Sequence, residues 1–161
     1  MKQIQAVIFD WAGTMIDFGS LAPVQAVAKI FAARGISVTE EEARRDMGIY
    51  KKDHIRRIIQ IPRIETLWRD TRGAAPCETD VEQLFADFQS AQMQVLDSYC
   101  TLIPGAARIA LQLRSLRLKI GSTTGYTRPM LDILIARAAE QGYRPDVSLC
   151  PDDVGGGRPL P

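Results

Sequence analysis

Ala6-Val7-Ile8-Phe9 is an unbroken apolar run that ends on Asp10 and turns at once into a loop of mostly small residues, Trp11-Ala12-Gly13-Thr14. An apolar run without alternation predicts a strand buried on both faces, as in a parallel sheet covered by helices. That reading commits the chain to an α/β architecture. It also places Asp10 at the carboxyl end of its strand, where open α/β sheets bind their ligands.

The remaining sequence separates into two styles. Residues 21–99 carry only helix signals. Pro23 suits the first turn of a helix that runs to Arg34 and stops at Gly35. Thr39-Glu40-Glu41-Glu42 is a capping box opening a helix to Asp46, and a further helix spans Lys51 to Gln60. Pro62 starts a helix through Arg72 with Gly73 as its stop, and a second capping box, Thr79 to Glu82, begins a long helix to Tyr99. From Pro104 the pattern alternates: helix to Leu116, strand Leu118–Ser122, helix Thr127–Gln141, strand Val147–Cys150. With the first strand this predicts three parallel strands joined by right-handed crossovers. The expected organisation is an α/β core from residues 1–20 and 100–161, interrupted by an all-helical insertion over 21–99.

Four segments carry chemistry. The first is Asp10-Trp11-Ala12-Gly13-Thr14. The second is Asp46-Met47-Gly48-Ile49-Tyr50-Lys51-Lys52-Asp53-His54, in which Met47, Lys51 and His54 share one face if the stretch is helical. The third, Gly121-Ser122-Thr123-Thr124-Gly125, is a strand end running into a hydroxyl- and glycine-rich turn suited to a phosphate, with Thr127 available to cap the next helix. The fourth, Pro151-Asp152-Asp153-Val154-Gly155-Gly156-Gly157-Arg158-Pro159, follows the last strand.

In this order the four segments resemble the haloacid dehalogenase superfamily of aspartate-nucleophile hydrolases, and within it the phosphonoacetaldehyde hydrolase family. The resemblance implies a Rossmann-like core with a helical cap domain. Phosphatases of the superfamily read Asp-x-Asp-x-Thr, whereas here the second position is Ala12, and a methyl group cannot protonate a leaving alkoxide. The family instead implies a Schiff base between Lys51 and the aldehyde of phosphonoacetaldehyde, giving an electron sink for the carbon that loses phosphorus. Asp10 then attacks phosphorus, leaving an aspartyl phosphate that water hydrolyses and an enamine that becomes acetaldehyde. By the same resemblance Thr124, Gly125 and Arg158 hold the phosphoryl group, His54 carries a proton or orients, and Met47 lies beside the lysine. Mg²⁺ would bind Asp10 and the backbone carbonyl of Ala12. A lysine attacks only as the free amine, so a pKa of about 10.4 has to fall towards roughly 7 to 8. Burial against Met47 and the neighbouring Lys52 are the sources that the sequence offers. Lysine on the cap and aspartate on the core imply closure that excludes water.

Singly, each feature has an ordinary explanation: an Asp after a strand caps turns, paired lysines coat helices, a lone histidine is structural, and three glycines make a flexible tail. Their agreement with one family in sequence order favours the functional reading. Met15 stands where family members often have Thr. The superfamily's fourth motif, acidic residues after a further strand, has no counterpart, so the chain is expected to be an N-terminal portion of the enzyme. A non-catalytic remnant is therefore the alternative function, and a general small-molecule phosphatase a weaker one because of Ala12. The resemblance also implies a homodimer through the cap, for which Leu67, Trp68 and the long helix are the candidate surface.

Composition narrows the partners. A net charge of +1 with dispersed Lys and Arg leaves no footprint for nucleic acid. Cys77, Cys100 and Cys150 are few and far apart, which suits reduced thiols. No apolar run is long enough for a bilayer, and because Met1-Lys2-Gln3 leads straight into the first strand no signal peptide is expected. A cytoplasmic protein acting on a small molecule is expected.

Overall fold

The computed structural model describes residues 4–158. The chain forms two compact units, one from residues up to Leu21 and from Leu96 onward, the other Ala22–Val95.

The first unit is built on a three-stranded parallel sheet of order β1-β2-β3, with β1 Ala6–Asp10, β2 Lys119–Thr123 and β3 Val147–Leu149. Its register aligns Ile8 with Gly121 and Gly121 with Val147. The expected burial of β1 on both faces does not occur. Ile8 is 69% exposed and Val147 51%, whereas Ile120 and Ser122, pointing to the other face of β2, are 0% and 1% exposed. Right-handed crossovers that step in one direction across a sheet lay their helices on one face. The apolar run therefore marks a strand correctly, but among the described residues only one face of it is covered.

The helices preceding and following β2 have ordinary causes. Gly105, at φ 92, caps a helix over Ala106–Ser115, and Arg128–Glu140 begins with proline in its first turn. A short helix, Pro151–Val154, was not foreseen; it starts at the prolyl residue after β3. Tyr143 is fully buried, its ring 5.5 Å from that of Trp11 and its hydroxyl 2.5 Å from Ser122 Oγ.

The second unit is all helical: α1 Leu21–Ala32, which begins at its border, then α2 Glu40–Arg44, α3 Lys51–Ile59, α4 Pro62–Arg72 and α5 Glu78–Leu96. In chain order the three helices of the first unit are then α6, α7 and α8. Thr39 and Glu42 form the expected capping box, and Gly73 ends α4 in the left-handed region at φ 77. The second expected capping box is displaced. The helix starts at Glu78, where the Cys77 N–H donates to Asp80 at 2.8 Å, so Thr79 lies inside the first turn. Glu78 and Glu82 bind Lys52 and Arg56 of α3 instead. Apolar residues Ile55, Ile58, Ile59, Ile64, Trp68, Leu84 and Phe88 fill this unit's core. Trp68 is only 2% exposed, with Arg72 over its ring, so it cannot serve as the contact surface that the sequence suggested for it. Among the described residues no helix is long and apolar enough to cross a membrane.

Candidate active site

Asp10 is the last residue of β1, level in register with Thr123 of β2. The loop beyond it is tied down by backbone bonds: the N–H groups of Thr14, Met15 and Ile16 all donate to the Trp11 carbonyl. Gly13 holds φ 80, and a Cβ there would come within 2.5 Å of Ser20 Oγ. Conformation favours glycine at that position, and an added Cβ would also force the Ser20 hydroxyl to turn away. Trp11 is fully buried, and the loop thus rests on the core while the Asp10 side chain stays 37% exposed.

Arg158 reaches this carboxylate. Its Nη2 donates to Asp10 Oδ1 at 3.0 Å although 148 residues separate them in sequence. The Nε of Arg158 is buried and makes no hydrogen bond. An arginine fork with an unused donor next to a carboxylate is suited to receive the oxygens of an anion such as a phosphoryl group. Arg158 also lines a cavity of about 150 Å³ with Thr123, Thr124, Leu149, Cys150 and Gly157.

Thr124 lies at the mouth of β2 and is 5% exposed. Its backbone N–H donates to the Leu149 carbonyl at 3.2 Å, which leaves the hydroxyl as the group that Thr124 offers to a ligand. Its hydroxyl oxygen accepts from the Tyr126 N–H at 3.2 Å, which leaves the hydroxyl proton free to point at an anion. Thr127 occupies the N-cap position of α7 but makes no capping bond with its side chain. The oxygen comes from elsewhere in the fold: Asp152 Oδ2 accepts the Arg128 N–H at 2.7 Å.

In the helical unit Lys51 is 2% exposed and His54 is 0% exposed. Both belong to the buried side of α3. Met47 does not share that helix as expected. It sits in the preceding turn, between Asp46 at φ 57 and Gly48 at φ 102, yet this turn still brings its Sδ to 3.7 Å from Lys51 Nζ. Lys52 is not a bare cation beside Lys51, because Glu82 and Glu78 engage it at 3.3 Å and 3.5 Å. Neither ring nitrogen of His54 has a well-aligned hydrogen bond, and the backbone of Arg45 and Ala43 supplies its nearest polar partners. Burial, reinforced by the charge of Lys51, lowers its pKa from 6.5 to about 4, with the backbone at Arg45, the Asp46 carboxylate and the backbone at Ala43 pulling the other way. The imidazole is thus neutral at pH 7 and able to accept a proton.

The family model for haloacid dehalogenase-like hydrolases matches residues 4–161. This chain belongs to that family. A protein of Bacillus cereus strain AH187 named phosphonoacetaldehyde hydrolase is 47% identical over 159 residues, which cover 99% of this chain and 60% of the relative. A protein of the same name from Bacillus cytotoxicus is also 47% identical with the same coverage. The crystal structure of a phosphonoacetaldehyde hydrolase-like protein from Oleispira antarctica superimposes with a TM-score of 0.95 at 40% identity, covering 98% of this chain and 57% of that one. A hydrolase of Pseudomonas syringae, at TM-score 0.71 and 20% identity, shares the fold. The chain spans about three fifths of the length of the curated relatives it matches.

Hydrolases of this family commonly work with Mg²⁺, and the donors here suit it in kind. The Asp10 carboxylate and the Ala12 carbonyl are hard oxygen ligands, and Mg²⁺ binds proteins through one or two carboxylates while keeping several waters. Among the described residues no group of three or more His, Cys, Asp or Glu side chains gathers into a metal cluster. Sequence reasoning missed the part played by Arg128 and by the two aspartates of α8. The spacing of Cys150 and Asp153 around Pro151, a helix start with an acidic residue in its first turn, was the available signal.

Proposed function

We propose that the chain is built for phosphonoacetaldehyde hydrolysis, with Lys51 as the Schiff-base lysine and Asp10 as the phosphoryl acceptor. The observation that carries this reading is a buried lysine, with neutral His54 and the Met47 thioether on its flanks, in a chain whose position 12 holds alanine instead of an acid. A phosphatase needs the acid that Ala12 lacks, whereas an iminium on Lys51 makes the departing carbon a good leaving group without it. The relatives named phosphonoacetaldehyde hydrolase support the same substrate.

The Lys51 amine attacks the aldehyde, and loss of water gives the iminium. Attack requires the unprotonated amine, and Lys51 stands buried in the first turn of α3. His54, neutral and beside Lys51, accepts or relays the protons of imine formation. The carboxylate of Asp10 attacks phosphorus as the carbon–phosphorus electron pair moves into the iminium, giving an aspartyl phosphate and an enamine. Arg158 and the Thr124 hydroxyl, with Gly125 in the same turn, hold the phosphoryl oxygens. Water then releases phosphate from Asp10, and the protonated enamine hydrolyses to acetaldehyde. Asp10 and the Ala12 carbonyl would hold Mg²⁺, which when bound neutralises charge on the phosphoryl group.

A second copy of the chain as partner, paired through the helical unit, and a cytoplasmic location complete the proposal; the free state of Cys77, Cys100 and Cys150 supports the latter. The test is acetaldehyde release from phosphonoacetaldehyde with Mg²⁺, coupled to NADH oxidation by alcohol dehydrogenase. Release that vanishes in Asp10→Asn supports the assignment. No release from a folded chain would favour the alternative, a non-catalytic form that keeps the family's fold.

A further inference from the structure

Resting on the reading of Arg158 as the phosphoryl-holding arginine, we infer that Arg128 is a positioning residue that sets where Arg158 stands against Asp10. The path from one to the other is continuous. Arg128 Nε donates to Asp153 Oδ1 at 3.1 Å and its Nη2 donates to Asp153 Oδ2, a two-pronged grip on one carboxylate. The Arg128 backbone N–H donates to Asp152 Oδ2 at 2.7 Å, and its Nη2 also reaches the Ser148 carbonyl at 3.4 Å. Asp153 in turn accepts the Cys150 N–H at 2.7 Å, so the same carboxylate closes the start of α8.

Arg128 therefore pins the start of α7, the end of β3 and the start of α8 to one another. Beyond that knot the chain has little to hold it. Val154 is 61% exposed, and Gly155, Gly156 and Gly157 follow without side chains to pack. Gly155 takes φ 69, and a Cβ on it would meet nothing within 4 Å. Arg158 comes next, bonded to Asp10. An arm of three glycines transmits position only if its root is fixed, because glycine has the largest backbone freedom to lose. The root is the pair of aspartates that Arg128 holds. A lysine could supply the charge but not the fork and the carbonyl contact together.

The test is backbone ¹⁵N relaxation of the full chain with Arg128→Gln. Order parameters of Gly156, Gly157 and Arg158 are expected to fall from their wild-type values to below about 0.6, while those of β2 stay put. Arg137→Gln is the control, since Arg137 also lies on α7 but pairs with Asp97 and Glu140. Should Arg128→Gln fail to fold, Asp153→Asn addresses the same knot from its other side. An arm as ordered in the variant as in the wild type, or one loosened equally by Arg137→Gln, overturns the inference. Inorganic phosphate titrated into the same samples tests the underlying reading separately. Amide shifts at Thr124 and Gly125 in the wild type, with affinity several-fold weaker in Arg128→Gln, support both. Loosening of the arm with no phosphate shifts in the wild type would sink the phosphoryl-site reading and leave the mechanical coupling standing.

Discussion

Between pH 7 and pH 5 acidification should destabilise the helical unit chiefly through His54, because the lowered carboxyls of Glu42 and Glu78 lose their contribution mostly at lower pH. The imidazole is fully buried and faces Lys51, and these two effects outweigh the backbone at Arg45 and Ala43, so its pKa falls from 6.5 to about 4. A folded-state pKa below the unfolded one means that the unfolded chain binds more protons in the window between them. The stabilisation is fully present above about pH 6.5 and is lost as the pH falls towards 4. At about 1.4 kcal/mol per pKa unit the whole effect is about 3 kcal/mol, of which about 2 kcal/mol should be gone at pH 5. Urea unfolding can read this if Trp68 is the reporter, with Trp11→Phe removing the tryptophan of the other unit. The informative quantity is the stability of wild type minus that of His54→Leu, which has no proton to take up and no polar atom to bury. That difference should decrease by about 2 kcal/mol between pH 7 and pH 5. A difference that stays constant over that range would refute the buried, neutral imidazole.

Other consequences follow from packing and from the site. Gly13→Ala combines a φ of 80 with a Cβ 2.5 Å from Ser20 Oγ, so it should cost about 1–3 kcal/mol by thermal unfolding, where a generic surface Gly→Ala would cost nothing. Ile8→Thr, on the open face of the sheet, should change stability by less than about 0.5 kcal/mol, while Ile120→Ala on the covered face should cost about 2–5 kcal/mol. Ala12→Asp should give the chain weak hydrolysis of phosphate monoesters such as p-nitrophenyl phosphate, because it restores the acid whose absence sets the reading of the site.

The sequence disclosed the order of the elements and the residues to watch, because both are local. A strand ending on Asp10, capping at Thr39, and the proline and glycine that bound α4 depend on neighbours within a turn. What escaped it depends on distant partners. The exposure of Ile8 follows from which face the crossovers take, not from its own apolar surroundings. The helix cap at α7 comes from Asp152, 24 residues away, in place of Thr127 next door. Met47 meets Lys51 through a turn with two positive φ values, where helical spacing predicted a shared face. Lys52, adjacent to Lys51 in sequence, is engaged by Glu78 and Glu82 of α5, 26 and 30 residues away. Arg158 was found by its motif, but its grip on Asp10 across the chain is visible only in three dimensions.

The most direct test of the central claim is to incubate the chain with phosphonoacetaldehyde, reduce with borohydride and map the adduct by peptide mass spectrometry. A reduced substrate adduct is expected on Lys51, still formed in Asp10→Asn and abolished in Lys51→Arg. An adduct spread over exposed lysines such as Lys119, or none on Lys51 in a folded chain, would contradict it.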